Sequence, residues 1–141
     1  MANALFPGGK SGMMTGLIDL DTAVIKTALV RSYTYDSTDV FMSDVVATGT
    51  IVGTPQTLSS ISTTGGVFDA ADITYTSVAA GAAIGCLIIY QASAVTGGAD
   101  VADTSQRVIA YIDTGTGLPV TPNGSNIVVT WDNGANKIFK I

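Results

Sequence analysis

Closely spaced aspartates are the first candidates for chemistry in this chain. Two carboxylates held together can act as an acid–base pair or bind Ca²⁺ through their oxygen atoms. Aspartates in turns, however, usually accept hydrogen bonds from nearby backbone amides. We therefore predict a structural role in turns, with a weak structural Ca²⁺ site as the alternative. The pairs are Asp19/Asp21, Asp69/Asp72 and Asp100/Asp103.

Most other catalytic and metal-binding arrangements lack the residues that they require. The chain has no His, and its eleven acidic residues are all Asp. Ser-His-Asp and Cys-His sites, zinc sites and EF-hands with their bidentate Glu are therefore excluded. Cys86, in the apolar run "AAIGCLIIY", is expected to pack as a small hydrophobic side chain. Apart from the Ca²⁺ alternative, we predict no enzymatic activity, no catalytic residue, no cofactor and no metal.

The composition is typical of a chain of strands and turns. Only 12% of the residues are charged, against about 25% in ordinary globular proteins. Thr, Val, Ile and Tyr favour strands, whereas Gly, Asn, Asp and Ser favour turns. The length corresponds to about one domain. We therefore predict an all-β fold, a single-domain β-sandwich or barrel-like structure with an extended N-terminal arm.

Charge and hydropathy argue against two classes of partner. The net charge of −5 disfavours direct nucleic-acid binding, because that binding depends on Lys and Arg neutralising phosphates. Residues 73–99 carry no charge, but the apolar part, "VAAGAAIGCLIIY", is shorter than the roughly 20 residues needed to cross a bilayer. The start of the chain has no basic, apolar signal-peptide pattern. We expect synthesis in a reducing cytoplasm and no membrane contact.

The chain divides into an N-terminal arm, residues 1–16, and a β-rich domain, residues 17–141. Pro7-Gly8-Gly9 interrupts any helix that begins before it, while a short helical turn over residues 10–15 remains compatible with the sequence. The arm either docks on a neighbouring subunit or folds back on its own domain. Its candidate partner-contact residues are Leu5, Phe6, Met13 and Met14.

Seven or eight strands are predicted, separated by turn signals. In residues 23–32, Val24, Lys26, Ala28 and Val30 form one face, opposite Ile25, Thr27, Leu29 and Arg31. Residues 85–93 form a buried strand. In residues 107–114, Val108, Ala110 and Ile112 alternate with Ile109 and Tyr111.

The last sixteen residues, "NIVVTWDNGANKIFKI", have the pattern of a β-hairpin. Asn133-Gly134 is typical of a tight turn, which pairs Trp131 with Asn136. A longer loop pairs Trp131 with Ile138 instead. A shift of one residue reverses the two faces, so both registers stay open.

Several segments resemble a family of small virion structural proteins of tailed bacteriophages, components of the head or tail. In order, they are "MANAL", "IDLDTAVIKTALV", "FMSDV", "GGVFDAADITYTSV" and "RVIAYIDTGTGLPVTPNGSNIVVTWDNGANKIFKI". The resemblance covers most of the chain and is strongest over residues 107–141. The chain differs from the family in two places, where Pro7-Gly8-Gly9 with Met13-Met14 and the "AAGAA" loop replace charged segments.

The resemblance implies a virion component without catalytic activity. The favoured role is a capsid decoration (cement) protein on the outer head surface, which binds the major capsid protein and other copies of itself, as a homotrimer. One alternative is a head–tail connector or tail ring component, in which self-contacts bury strand edges. A carbohydrate-binding or adhesion module is the other alternative, and it normally presents a cluster of exposed aromatic side chains.

Overall fold

The computed structural model describes residues 3–141. In chain order, its elements are β1 (Ala4–Leu5), α1 (Pro7–Met14), β2 (Val24–Arg31), α2 (Met42–Thr48), β3 (Thr50–Thr57), β4 (Val67–Phe68), β5 (Ile73–Tyr75), β6 (Cys86–Ser93), β7 (Arg107–Ile112), β8 (Ile127–Val129) and β9 (Phe139–Lys140). Short 3-10 helices, Thr64–Gly66 and Asp103–Ser105, precede β4 and β7.

The main sheet has five antiparallel strands in the order β1-β7-β6-β2-β3. Two smaller sheets pair β4 with β9 and β5 with β8, also antiparallel. The main sheet is open, with β1 and β3 at its edges. The prediction of a mostly β domain is confirmed, with two short helices added. The barrel-like alternative is wrong for residues 3–141, since their strands form no closed barrel.

The two faces of β2 are those that the sequence predicts. Ile25 and Leu29 belong to one hydrophobic cluster, whereas Ala28 and Val30 belong to another on the opposite side of the sheet. All eight residues of β6 are buried. The predicted buried strand is therefore confirmed, and both faces of the main sheet are covered by protein.

Different elements cover the two faces. The small sheets contribute Phe68, Ile73 and Tyr75 to the first cluster, together with Trp131 beyond β8. The Tyr75 hydroxyl donates a hydrogen bond to the Thr27 carbonyl at 2.8 Å, which ties this layer to β2. The other face is covered by α2, by the segment that precedes α2 and by the residue that precedes α1. Their contributions to the second cluster are Phe6, Tyr33, Met42 and Val45.

A β-bulge in β7 makes the predicted alternation there partly wrong. Ile89 pairs with Ala110 and Tyr90 pairs with Val108, so Ile109 is an extra residue on β7. Such an insertion places two consecutive residues on one side of a sheet. Ile109 and Ala110 both join the first cluster, while Val108 and Tyr111 join the second.

The N-terminal residues fold back on the domain, so the predicted extended arm is wrong for residues 3–14. β1 pairs with β7, and Phe6 is fully buried, with its backbone N–H donating to the Ile109 carbonyl at 2.9 Å. Pro7 starts α1 in the first-turn position where its missing N–H costs nothing. Met1 and Ala2, which the predicted arm includes, lie outside the described residues.

The predicted terminal hairpin is also wrong. β8 pairs with β5 (Val129 opposite Ile73), and β9 pairs with β4 (Phe139 opposite Phe68). The Asn-Gly segment does turn the chain, since the Asp132 carboxylate accepts a hydrogen bond from the Gly134 N–H at 3.1 Å. Neither proposed register exists, because each strand finds its partner in the middle of the chain.

Gly9 allows α1 to pack directly on the β7 backbone, and Gly9→Ala tests that contact. An added Cβ lies 2.7 Å from the Val108 carbonyl oxygen, so we expect the free energy of unfolding to fall by about 1–3 kcal/mol. Gly8→Ala is the matched control, because its Cβ first meets the Val40 side chain at 3.3 Å. Urea unfolding of both variants gives the comparison, and equal midpoints would contradict the tight packing.

Trp131 links the last part of the chain to the first cluster. Its side chain is 7% exposed, and its Nε1–H donates to the Ala71 carbonyl at 3.1 Å. Trp131→Ala is expected to lower the free energy of unfolding by about 3–5 kcal/mol, the range for a buried aromatic residue. Val128→Ala, at a position 63% exposed, is the control and should change little. An unaltered urea midpoint for the Trp131 variant would show that its indole is not part of the core.

Candidate interaction surface

Aspartates of the predicted pairs mainly accept hydrogen bonds, either within a turn or between segments that are distant in the sequence. The Asp19 carboxylate accepts hydrogen bonds from the Thr22 hydroxyl and from the backbone N–H groups of Asp21 and Thr22. These bonds, with the Thr22 hydroxyl first, keep the pKa of Asp19 below its ordinary value. Asp72 accepts from the Trp131 backbone N–H at 2.9 Å. For these aspartates the predicted structural role is confirmed.

The two aspartates of the third pair, Asp100 and Asp103, have different roles. The Asp100 carboxylate lies 2.7 Å from the Lys26 ammonium group, while Asp103 begins a 3-10 helix. Across residues 3–141, no three Asp or Cys side chains are grouped closely enough to hold a metal ion. The same residues contain no helix whose length and apolar character would let it cross a membrane.

The side chains whose pKa is raised are buried or half-buried. Burial raises the pKa of the Cys86 thiol to about 12, with a smaller contribution from Asp113. Burial likewise raises the pKa of Tyr90 to about 12 and that of Tyr111 to about 12. Asp39, which accepts a hydrogen bond from the Tyr33 hydroxyl at 2.6 Å, has a pKa raised chiefly by burial. A thiol with a raised pKa is a poor nucleophile.

The four predicted contact residues separate into one core residue and three at the surface. Phe6 is 0% exposed and packs against the Tyr35 ring, with 5.0 Å between the ring centroids. It therefore offers no surface to a partner in this conformation. Leu5 and Met13 are half-buried, whereas Met14 is 87% exposed. These three lie together at one end of the main sheet.

A groove of about 460 Å³ joins these side chains to the last residues of the chain. Leu5 and Met13 lie on one side, and Ile141, 63% exposed, lies on the other. We call this feature the terminal groove, lined by Leu5, Lys10, Met13, Met14, Lys140 and Ile141. A narrower recess of about 110 Å³ adjoins it between β1, β7 and β9. Its apolar lining makes the terminal groove a candidate contact site.

The terminal groove is cationic, although the chain as a whole is acidic. Lys26 and Lys137 are paired with Asp100 and Asp69, whereas neither Lys10 nor Lys140 lies within salt-bridge distance of a carboxylate in residues 3–141. Both are exposed, and no Asp lines the groove. The groove therefore combines apolar contact area with two lysines that have no carboxylate partner among residues 3–141, which favours an apolar partner that carries negative charge.

Lys10, Lys140 and Ile141 were missed because no local pattern connects them. They come from opposite ends of the sequence and meet only in the folded chain. There β1 lies beside β7, and residues of β1, β7 and β9 together line the narrower recess. The only sequence signal for the site is the Met13-Met14 pair, because two adjacent apolar residues in a terminal segment suggest that the segment makes a contact.

Comparison with protein-family models, with curated proteins and with solved structures found no match to this chain.

The buried tyrosines and Cys86 predict a loss of stability in alkaline solution. Their folded-state pKa values are raised, so their contribution to stability is present below their ordinary pKa values and is lost as pH rises toward the folded values. For Cys86 this window runs from 9.0 to about 12. We expect the free energy of unfolding to fall steadily across it in urea titrations. In Cys86→Ala the fall should be shallower, and a flat profile would contradict the burial of these groups.

Proposed function

We propose that this chain is a non-enzymatic structural subunit of a tailed-bacteriophage virion, a capsid decoration protein that binds and stabilises the outer surface of the head shell. The terminal groove is the observation that carries the contact function, since it exposes apolar area beside Lys10 and Lys140, which pair with no carboxylate of the described residues. The virion setting rests on the resemblance of residues 107–141 to that family. Ionisable groups that serve as caps, turns and ion pairs are consistent with a shape-based role.

A rigid subunit with several modest contacts suits this role. Repetition over a closed shell raises the effective concentration of each contact, so no single interface needs to be strong. The proposed partners are the major capsid protein and other copies of this chain, as a homotrimer. We also propose that the two small sheets act as the second layer of a β-sandwich, because Phe68, Tyr75 and Trp131 pack against the main sheet.

The edge of β3 weighs against the ring alternative, in which strand edges pair between subunits. Pro55 has no N–H to donate, and Gly53 has a φ of +69°, so β3 is interrupted in its middle. Natural edge strands use such features to prevent pairing with another chain. This edge is therefore poorly suited to strand addition.

The aromatic side chains weigh against the carbohydrate-binding alternative. Sugar-binding sites stack the sugar rings on exposed aromatic residues. Here all ten aromatic side chains are buried or half-buried. Several instead contact one another within the second cluster, where the Tyr35 ring centroid lies 5.0 Å from Phe6 and 5.4 Å from Tyr111. Their role is to support the fold.

The copy number in purified virions tests the proposed role. A decoration protein covers the shell, so we expect it in numbers of the same order as the major capsid protein by quantitative gel densitometry. A ring component closes on itself with about a dozen subunits. Release of the chain from intact, DNA-filled heads by mild denaturant would add support for an outer position. A count near a dozen, or absence from the particle, would overturn the proposal.

A further inference from the structure

An acidic, apolar turn lies directly after the helix that forms one side of the terminal groove. Gly16, with a φ of +76°, ends the helical segment, and Leu17 follows with 53% of its side chain exposed. Asp19 and Asp21 are both exposed. We call residues 17–21 the acidic turn. It contains no basic residue, and the terminal groove contains no acidic one.

Buried Gln91 holds the acidic turn in place. Its side-chain carbonyl accepts a hydrogen bond from the Asp19 N–H at 3.0 Å, and its amide donates to the Leu17 carbonyl at 3.1 Å. Gln91 is only 5% exposed and belongs to β6, the central strand. The Asp19 carboxylate closes the turn locally through its bond to the Asp21 N–H. The exposed groups are therefore preorganised, which lowers the entropy lost on binding.

We propose that the acidic turn of a second copy of this chain binds in the terminal groove. Leu17 of one copy would cover the apolar floor beside Met14 of the other, with the exposed carboxylates facing Lys10 and Lys140. Charge complementarity identifies the occupant, because the groove is cationic and apolar while the turn is anionic and apolar. Since the groove and the turn lie side by side, copies joined in this way can form a closed assembly.

This inference rests on the proposed function, because self-association is one of the two contacts that a shell-covering subunit makes. It goes further by assigning that contact to particular residues.

A charge exchange in the purified full-length chain tests the pairing. The groove variant Lys10→Glu with Lys140→Glu, and the turn variant Asp21→Lys, each place like charges in contact. We expect each to weaken self-association by about tenfold or more, measured as the concentration dependence of mass in light scattering. Combining all three substitutions in one chain places the new lysine opposite the two new glutamates, so association should recover in part, since Asp19 keeps its negative charge. Asp21 is chosen because the Asp19 carboxylate maintains the turn.

Matched controls separate this contact from general charge and hydropathy effects. Asp103→Lys makes the same charge change on an exposed residue outside the turn and should leave association unchanged. Met14→Ser should weaken association about tenfold, whereas Val128→Ser, at another exposed apolar position, should not. All substituted residues are exposed, so circular dichroism melting curves should match the wild type.

Two results would overturn the inference. The first is a wild-type chain that stays monomeric over the whole concentration range. The second is self-association that the groove and turn variants do not weaken, or that their combination does not restore. A monomeric chain that is still abundant on the outer head surface would reject this self-contact and retain the proposed function. An associating chain that is absent from virions would do the reverse.

Discussion

The burial of β6 on both faces is the constraint on which the rest of the structure depends. Antiparallel sheets commonly leave one face in water, but every residue of Cys86–Ser93 is buried. Leu87 and Ile89 therefore need a covering layer on one side, and Ile88 and Tyr90 need one on the other. The small sheets provide the first layer, and α2 with the segments before it and before α1 provides the second. The terminal segments belong to the core because the central strand requires them.

Close backbone contact is what lets the N-terminal segment serve as a layer. The buried residues of α1 are Gly9 and Gly12, which gives the helix almost no side-chain thickness on its inner face. Gly9 meets the β7 backbone where the bulge adds Ile109, and Gly12 meets the Ile18 side chain. With the inner face occupied by glycines, the larger side chains Met13 and Met14 lie toward the groove. The tight packing and the exposed apolar surface thus have one cause.

Sequence reasoning succeeded where the determinants are local and failed where distant segments meet. The faces of β2 and the burial of β6 follow from alternation and from an uninterrupted apolar run, both visible within ten residues. The terminal hairpin failed because Asn133-Gly134 describes the turn but not the partners, and Phe68 and Ile73 offer β9 and β8 better apolar contacts. The β7 alternation failed because a bulge leaves no mark in a short pattern.

The predicted contact site shows the same division. Met13 and Met14 were predicted as contact residues from their apolar character in a terminal segment, and both line the terminal groove, while Phe6 was misplaced because sequence does not tell an interface side chain from a core one. Burial of Phe6 depends on β7 and on Tyr35, which lie far from it in the chain. The cationic lining could not be predicted at all, since Lys10 and Lys140 meet only after the sheet has formed.

The charged residues are distributed unevenly over the surface. In a chain with so few charged residues, ion pairs and stacking use several of the cations, including Lys26, Lys137 and Arg107, which lies over the Phe41 ring. Lys10 and Lys140, which have no carboxylate partner among residues 3–141, then lie near an anchored acidic turn. In the proposed self-contact, repulsion between like charges would disfavour wrong orientations of an approaching subunit. In the proposed self-contact, apolar area would supply the affinity, and these few charges would determine which surfaces can meet.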